Sequence, residues 1–331
     1  MKTAAYNRWK GQRTSIWQRR WVIVHYGISL ATKSKIFRFV AVLGLTIGLF
    51  LIGAFFTLGQ LVTPDSSLLS FIAQGNEKIR DTLNGFASWV ILYPEICVDG
   101  FYRAMFYAAF HGQLFIALIA VATFVPKLCA QDIASNAIVI YNSKALGKGD
   151  YILGKLGIPF LLLSGFWLLP VCFAWIVGNV MSPDWSYFFH SSVAALRGIT
   201  LISICIVVIS IWGVAISSLT KRSGISVILW IFYWILTGVV ADVISKVYEW
   251  GKYLSLNNAL NELALSLFRF DQIFAEAKAM IPFFDYYTRD SIGELPDFWV
   301  GSSSGLSMAI IAVSIHCILG VLILTKRLLS S

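Results

Sequence analysis

Residues 193–219 read VAALRGITLISICIVVISIWGVAISSL, a run whose one charged side chain is Arg197. It exceeds the roughly 20 apolar residues that an α-helix needs to cross the hydrocarbon core of a bilayer. Working outward, five further stretches qualify as spans: Ile36 to Val62, Gln113 to Cys129, Leu156 to Met181, Ile225 to Ser245 and Gly305 to Leu324. In lipid, backbone polar groups must be satisfied within the segment itself, so these spans are expected to be helices. The expected fold is an all-α polytopic membrane protein with six transmembrane helices.

Composition agrees. The 331 residues are 58% hydrophobic and 13% charged, a balance that a water-soluble core does not absorb. Basic residues set the orientation, because Lys and Arg are retained on the cytoplasmic side during insertion. With the N-terminus inside, residues 1–38, 127–155, 220–224 and the C-terminal tail hold 17 of the 26 Lys and Arg, against only Asp132 and Asp150. The net charge of +9 therefore describes a basic face beside anionic lipid headgroups rather than a nucleic-acid surface. Both termini are expected in the cytoplasm. Of the five cysteines, Cys129, Cys172, Cys205 and Cys317 lie in or beside spans and only Cys97 falls outside, so no disulfide or metal framework is implied.

Residues 1–35 are expected to form a cytoplasmic, basic connecting helix, for Trp17, Trp21, Val24 and Ile28 recur at helical spacing among Arg13, Arg19, Arg20, Lys33 and Lys35. With no cleavage pattern after the first span, the start of the chain reads as a retained signal anchor. Residues 36–331 form the six-helix domain, with a cytoplasmic loop at 127–155 and non-cytoplasmic segments at 63–112 and 246–304. The apolar-aromatic patch from Phe86 to Pro94 is too short to span and reads as interfacial or packed on the bundle. Leu256, Leu260, Leu263 and Leu267 share a helical face, and Ile281-Pro282-Phe283-Phe284 interrupts a second candidate helix. Re-entrant or surface helices suit that segment better than a folded domain.

Motifs for catalysis are lacking. No GxxxxGK[ST] phosphate loop occurs, and Leu146-Gly147-Lys148-Gly149 lacks the first glycine, the hydroxyl and the preceding strand. The chain is thus not expected to be an enzyme, to hydrolyse ATP or to hold a cofactor. His25, His111, His190 and His316 make no i, i+4 pair for a metal, and His316 reads as a helix-packing residue. Arg197 and Asp242 fall near the outer ends of their spans, where pairing or snorkelling handles a charge. No carboxylate cluster marks the midplane, as an ion-coupled carrier would require.

The polar loop carries the remaining information. Asp132 is placed to cap a helix on which Ile133, Ala137, Ile140 and Tyr141 share one side. Gly147 and Gly149 permit a turn, Asp150 is placed to cap the third span, and Gly157-Ile158-Pro159 allows a bend. An apolar ridge on a cytoplasmic loop suits a protein partner; an ordinary interfacial loop with basic flanks fits the same spacing.

The run Asp132, Asn136, Ile138, Tyr141, Ser143, Lys144, Leu146, Lys148, Asp150, Tyr151, Leu153, Gly154 and Lys155 resembles the cytoplasmic loop of ABC-2-type exporter permeases. Ala145 stands where that pattern usually has proline, and Gly147 where it has a hydroxyl residue. The resemblance implies a permease subunit in a bacterial inner membrane that pairs with a second copy or a paralogue and with separate ABC ATP-binding subunits, which would hold ATP and Mg. Asp132, Ile133, Asn136, Ala137, Ile140, Tyr141, Ser143, Lys144, Lys148, Asp150 and Tyr151 would then form the coupling contact, with Lys221 and Arg222 as a smaller second one. Abundant aromatic and aliphatic residues suit an amphipathic or hydrophobic cargo. A scaffold that recruits a cytoplasmic partner, and a channel or carrier without a motor, stay open as alternatives.

Overall fold

Helix α1, Ile16–Thr32, starts at a reciprocal cap: the Ser15 hydroxyl accepts the Gln18 N–H at 3.2 Å, and the Gln18 side chain accepts the Ser15 N–H at 3.0 Å. The computed structural model describes residues 15–62, 77–135, 147–182, 185–280 and 305–329. The Trp17 to Ile28 stripe is divided along its length. Val24 is buried and Ile28 packs on the core, whereas Trp17 and Trp21 are exposed. The two tryptophans therefore stand clear of the bundle, and Val24 and Ile28 lie against it.

A short turn leads into α2, Lys35–Val62. Gly44 and Gly48 bring it against Phe166 and Pro170, so these glycines pack within the chain. Helix α3, Glu77–Leu92, buries Ala87 and Val90. Helix α4, Pro94–Val125, begins well before the expected Gln113. Charged residues at its start depress the hydropathy without breaking the helix, because Asp99 and Arg103 pair one turn apart. Beyond α4 come a π-turn, Pro126–Ala130, and the short helix α5, Gln131–Ala134.

After the loop, α6, Lys148–Leu163, starts earlier than the expected Leu156. It passes through a second π-turn, Ser164–Leu168, into α7, Leu169–Val180. Helix α8, Ser186–Ser218, is the central post: 72% of its most apolar window is buried, against 11% for α9, Ser223–Ser245. Trp230 of α9 donates to the Leu118 carbonyl of α4 at 3.0 Å.

From α9 the chain turns back through a 3₁₀ segment, Glu249–Leu254, into α10, Leu256–Phe268, and α11, Phe270–Met280. The leucine face does bury: Leu256, Leu260 and Leu263 are in the core, with Leu267 partly covered. Asn261 accepts the Tyr107 hydroxyl at 3.2 Å, and the Tyr253 backbone meets the His316 ring, so the segment packs along the spans rather than on top of them. Burial works against the Lys252 charge there, but Glu262 at 3.0 Å and the neighbouring Tyr253 together hold Lys252 above its ordinary pKa. Helix α12, Gly305–Leu329, closes the bundle, with His316 against the Tyr233 hydroxyl at 3.2 Å.

Among the described residues six helical stretches are long and apolar enough to cross a membrane, α6, its π-turn and α7 counting as one, and there is no strand. The protein is an all-α polytopic membrane protein. All five cysteines are free, and no metal-ligating cluster occurs among the described residues.

Candidate functional site at the base of the polar loop

The site begins where α4 stops being a regular helix. Pro126 brings no N–H and cannot continue the i to i−4 ladder, so the next turn widens into a π-turn with unmatched backbone groups. Ser217 of α8 resolves them. Its hydroxyl donates to the Val125 carbonyl at 2.6 Å and accepts the N–H groups of Cys129 and Ala130 at 2.9 and 3.1 Å. One buried hydroxyl thus uses its donor and both acceptor positions on the irregular turn, fixing the exit of α4 to the central helix.

Two residues past Ala130, Asp132 emerges toward α6. Its carboxylate meets the Lys155 ammonium at 2.7 Å and accepts the Tyr151 hydroxyl at 2.8 Å. Tyr151 and Lys155 stand one helical turn apart on the buried face of α6, with the ammonium 5.5 Å from the Tyr151 ring centre. The Lys155 and Asp132 side chains are 9% and 19% exposed. That seclusion makes the pair a geometric fastener rather than a surface contact.

Asp132 does not cap a helix. The backbone before it is already helical and offers no capping hydrogen bond; a continuing helix has no orphan N–H groups for a carboxylate to accept. Ile133 also departs from expectation, being half-buried against the bundle core instead of standing on an open ridge.

Asp150 serves two neighbours from the start of α6. One carboxylate oxygen accepts the Gly147 N–H at 3.2 Å, an N-terminal cap made from the third helical position. The other takes the Arg20 guanidinium of α1, whose Nε donates at 2.8 Å. Arg20 also lies 4.9 Å from the Trp17 ring centre. Below this contact the two helices nearly touch: a Cβ on Gly27 would come within 2.2 Å of Ile158, and one on Gly157 within 2.8 Å of Val24. Lys127 reaches back to the Leu30 carbonyl at 3.4 Å. A cavity of about 510 Å³ remains between α1 and the loop base, lined by Tyr26, Leu30, Lys127, Gln131, Asp132 and Lys155, among others.

Lys148 occupies the first turn of α6. Lys221 and Arg222 are exposed on the turn that follows α8, at the same end of the molecule as Ser217. Asn136, Ala137, Ile140, Tyr141, Ser143 and Lys144 lie outside the described residues. The structure thus joins Asp132, Asp150 and Tyr151, and it adds Arg20, Lys155 and Ser217 as their fixing partners. Lys155 was legible as a Tyr-x-x-x-Lys pair at helical spacing. Ser217 carried no sequence signal, since nothing local distinguishes it from the other serines of α8.

Comparison with family models, with curated proteins and with solved structures returned no match.

Proposed function

We propose that this chain is the permease subunit of an ATP-driven, ABC-2-type exporter, working as a pair with a second copy or a paralogue. ATP and Mg belong to separate ATP-binding subunits docked on the polar loop. The observation that carries this reading is the Asp132, Lys155 and Tyr151 contact, which joins both ends of the loop at their base. A loop held this way behaves as a handle. Force on it passes through Asp132 to α6, through Ser217 to α8, and through Asp150 and Arg20 to α1.

In this reading the loop is cytoplasmic, as are both termini, and the membrane is the bacterial inner membrane. Closure of the ATPase pair presses on the loops and tilts α4 and α6 together, exchanging inward for outward access of an amphipathic or hydrophobic cargo. The basic turn at Lys221 and Arg222 supplies a second, weaker contact. The loop resemblance supports the ATPase pairing, and with it the assignment of hydrolysis to separate subunits.

The test is a mild-detergent pull-down of the tagged chain, expressed with its chromosomal neighbours, followed by mass spectrometry and an ATPase assay. A co-purifying protein with a phosphate-binding loop and vanadate-sensitive hydrolysis is the expected result. Tyr141→Asp in the loop is expected to remove substrate stimulation of that hydrolysis while leaving the protein inserted. A clean oligomer without ATPase activity overturns the permease reading in favour of a scaffold or a motor-independent channel.

A further inference from the structure

The opposite end of α4, roughly 40 Å from Asp132 along the helix axis, gathers charge that the loop does not use. Asp99 and Arg103 face each other across one turn, and the Arg103 side chain is buried. Its Nη1 also donates to the carbonyls of Phe268 at 2.7 Å and Arg269 at 3.3 Å. These bonds clamp the junction of α10 and α11, where Arg269 sits at φ 49°, the one non-glycine residue with positive φ among the described residues. A left-handed residue that is not glycine is held by its surroundings, and here the clamp leaves the Arg269 side chain exposed beside Arg103.

A third guanidinium arrives from α8. Gly198 lets α8 approach Phe106, against whose ring a Cβ would lie at 3.1 Å, and this sets the adjacent Arg197 near the Arg103 turn. The charged groups acting on Arg197 are Arg103, Asp99 and Arg269. Among the described residues, three guanidinium groups thus gather around the Asp99 carboxylate. Two of their donors are buried without a hydrogen-bond partner, Nη1 of Arg197 and Nε of Arg103; the second oxygen of Asp99 is buried without one as well.

A purely structural role accounts for Arg103, whose terminal nitrogens are engaged by α10 and Asp99. It does not account for Arg197, which brings a charge into partial burial and leaves a donor unused. Planar guanidinium donors match the oxygens of phosphate-type anions in pairs. We propose that Arg103, Arg197 and Arg269 form a binding site for a phosphate-type oxyanion on the face opposite the polar loop, with Arg269 at its entrance. The oxyanion is either a lipid headgroup of that leaflet or a soluble anion. The site does not depend on the permease reading, because no residue of the loop takes part.

The test uses the full chain in an uncharged detergent. It is titrated with inorganic phosphate and with short-chain phosphatidylglycerol, against short-chain phosphatidylcholine, whose headgroup is net neutral, while melting temperature is followed. Phosphatidylglycerol is expected to raise the melting temperature at concentrations where phosphatidylcholine does not. Arg197→Gln is expected to weaken the apparent affinity at least tenfold and Arg197→Lys less. Stabilisation by phosphatidylglycerol alone assigns the site to a lipid headgroup; stabilisation by phosphate as well assigns it to a small soluble oxyanion. Should Arg197→Gln fail to fold, Arg269→Gln at the exposed rim is expected to lower the affinity severalfold. No stabilisation by either anionic probe, or stabilisation unchanged in both Gln variants, overturns the proposal.

Discussion

At the residue scale, Asp132 shows how one side chain changes meaning once the fold is known. In sequence it sits after an apolar run and before a helical pattern, the place of an N-cap; in the fold it is the counter-ion of a buried lysine. Removing one partner of a secluded ion pair strands the other charge. Asp132→Asn is therefore expected to destabilise the protein by about 3 kcal/mol, and Lys155→Met added to it should restore part of the loss; thermal denaturation of single and double variants in mild detergent reads both. Ser217 acts through hydrogen bonds alone. Ser217→Ala leaves two buried N–H groups and a carbonyl on the π-turn without their partner, with an expected loss of about 1–3 kcal/mol. A melting temperature equal to wild type would show that the π-turn does not need α8.

At the element scale, the docking of α1 on α6 sets a charged contact against close packing. The Arg20 and Asp150 side chains are 25% and 20% exposed, so the pair gains little over solvation, and Arg20→Gln is expected to cost less than about 1 kcal/mol. Gly27→Leu instead drives a side chain into Ile158 and is expected to cost about 1–3 kcal/mol and to free α1. Limited proteolysis after Arg19 and Arg20 distinguishes the two, with faster cleavage expected only in Gly27→Leu. The existence of α1 was legible from its tryptophan and basic pattern, and its orientation was not. A 3.6-residue stripe names a face, whereas what covers each half of it depends on where α6 lies. Helices α4 and α6 likewise start earlier than hydropathy suggests, because charges such as Asp99 with Arg103 and Lys155 with Asp132 neutralise one another within the fold. Averaging along the chain cannot detect such pairs when the partner is distant in sequence.

At the scale of the whole molecule, the loop base and the arginine cluster occupy opposite ends of α4, and the bundle between them is long enough to cross a bilayer. With the five cysteines replaced by alanine, Ser135→Cys is expected to react with a membrane-impermeant maleimide only in inside-out vesicles, and Asp271→Cys only in right-side-out ones. Labelling of both from one side would refute the topology. Sequence by itself determined the helical class, the six spans and the leucine face of α10, since each follows from local composition or short-range periodicity under the demands of lipid. Tertiary structure alone decided that Ser217 closes the π-turn, that Lys155 answers Asp132, that Arg20 answers Asp150, and that Arg103, Arg197 and Arg269 meet at one place. Their chemistry arises from groups on different helices, and the distances between those groups exist only once α4, α6, α8 and α10 have packed.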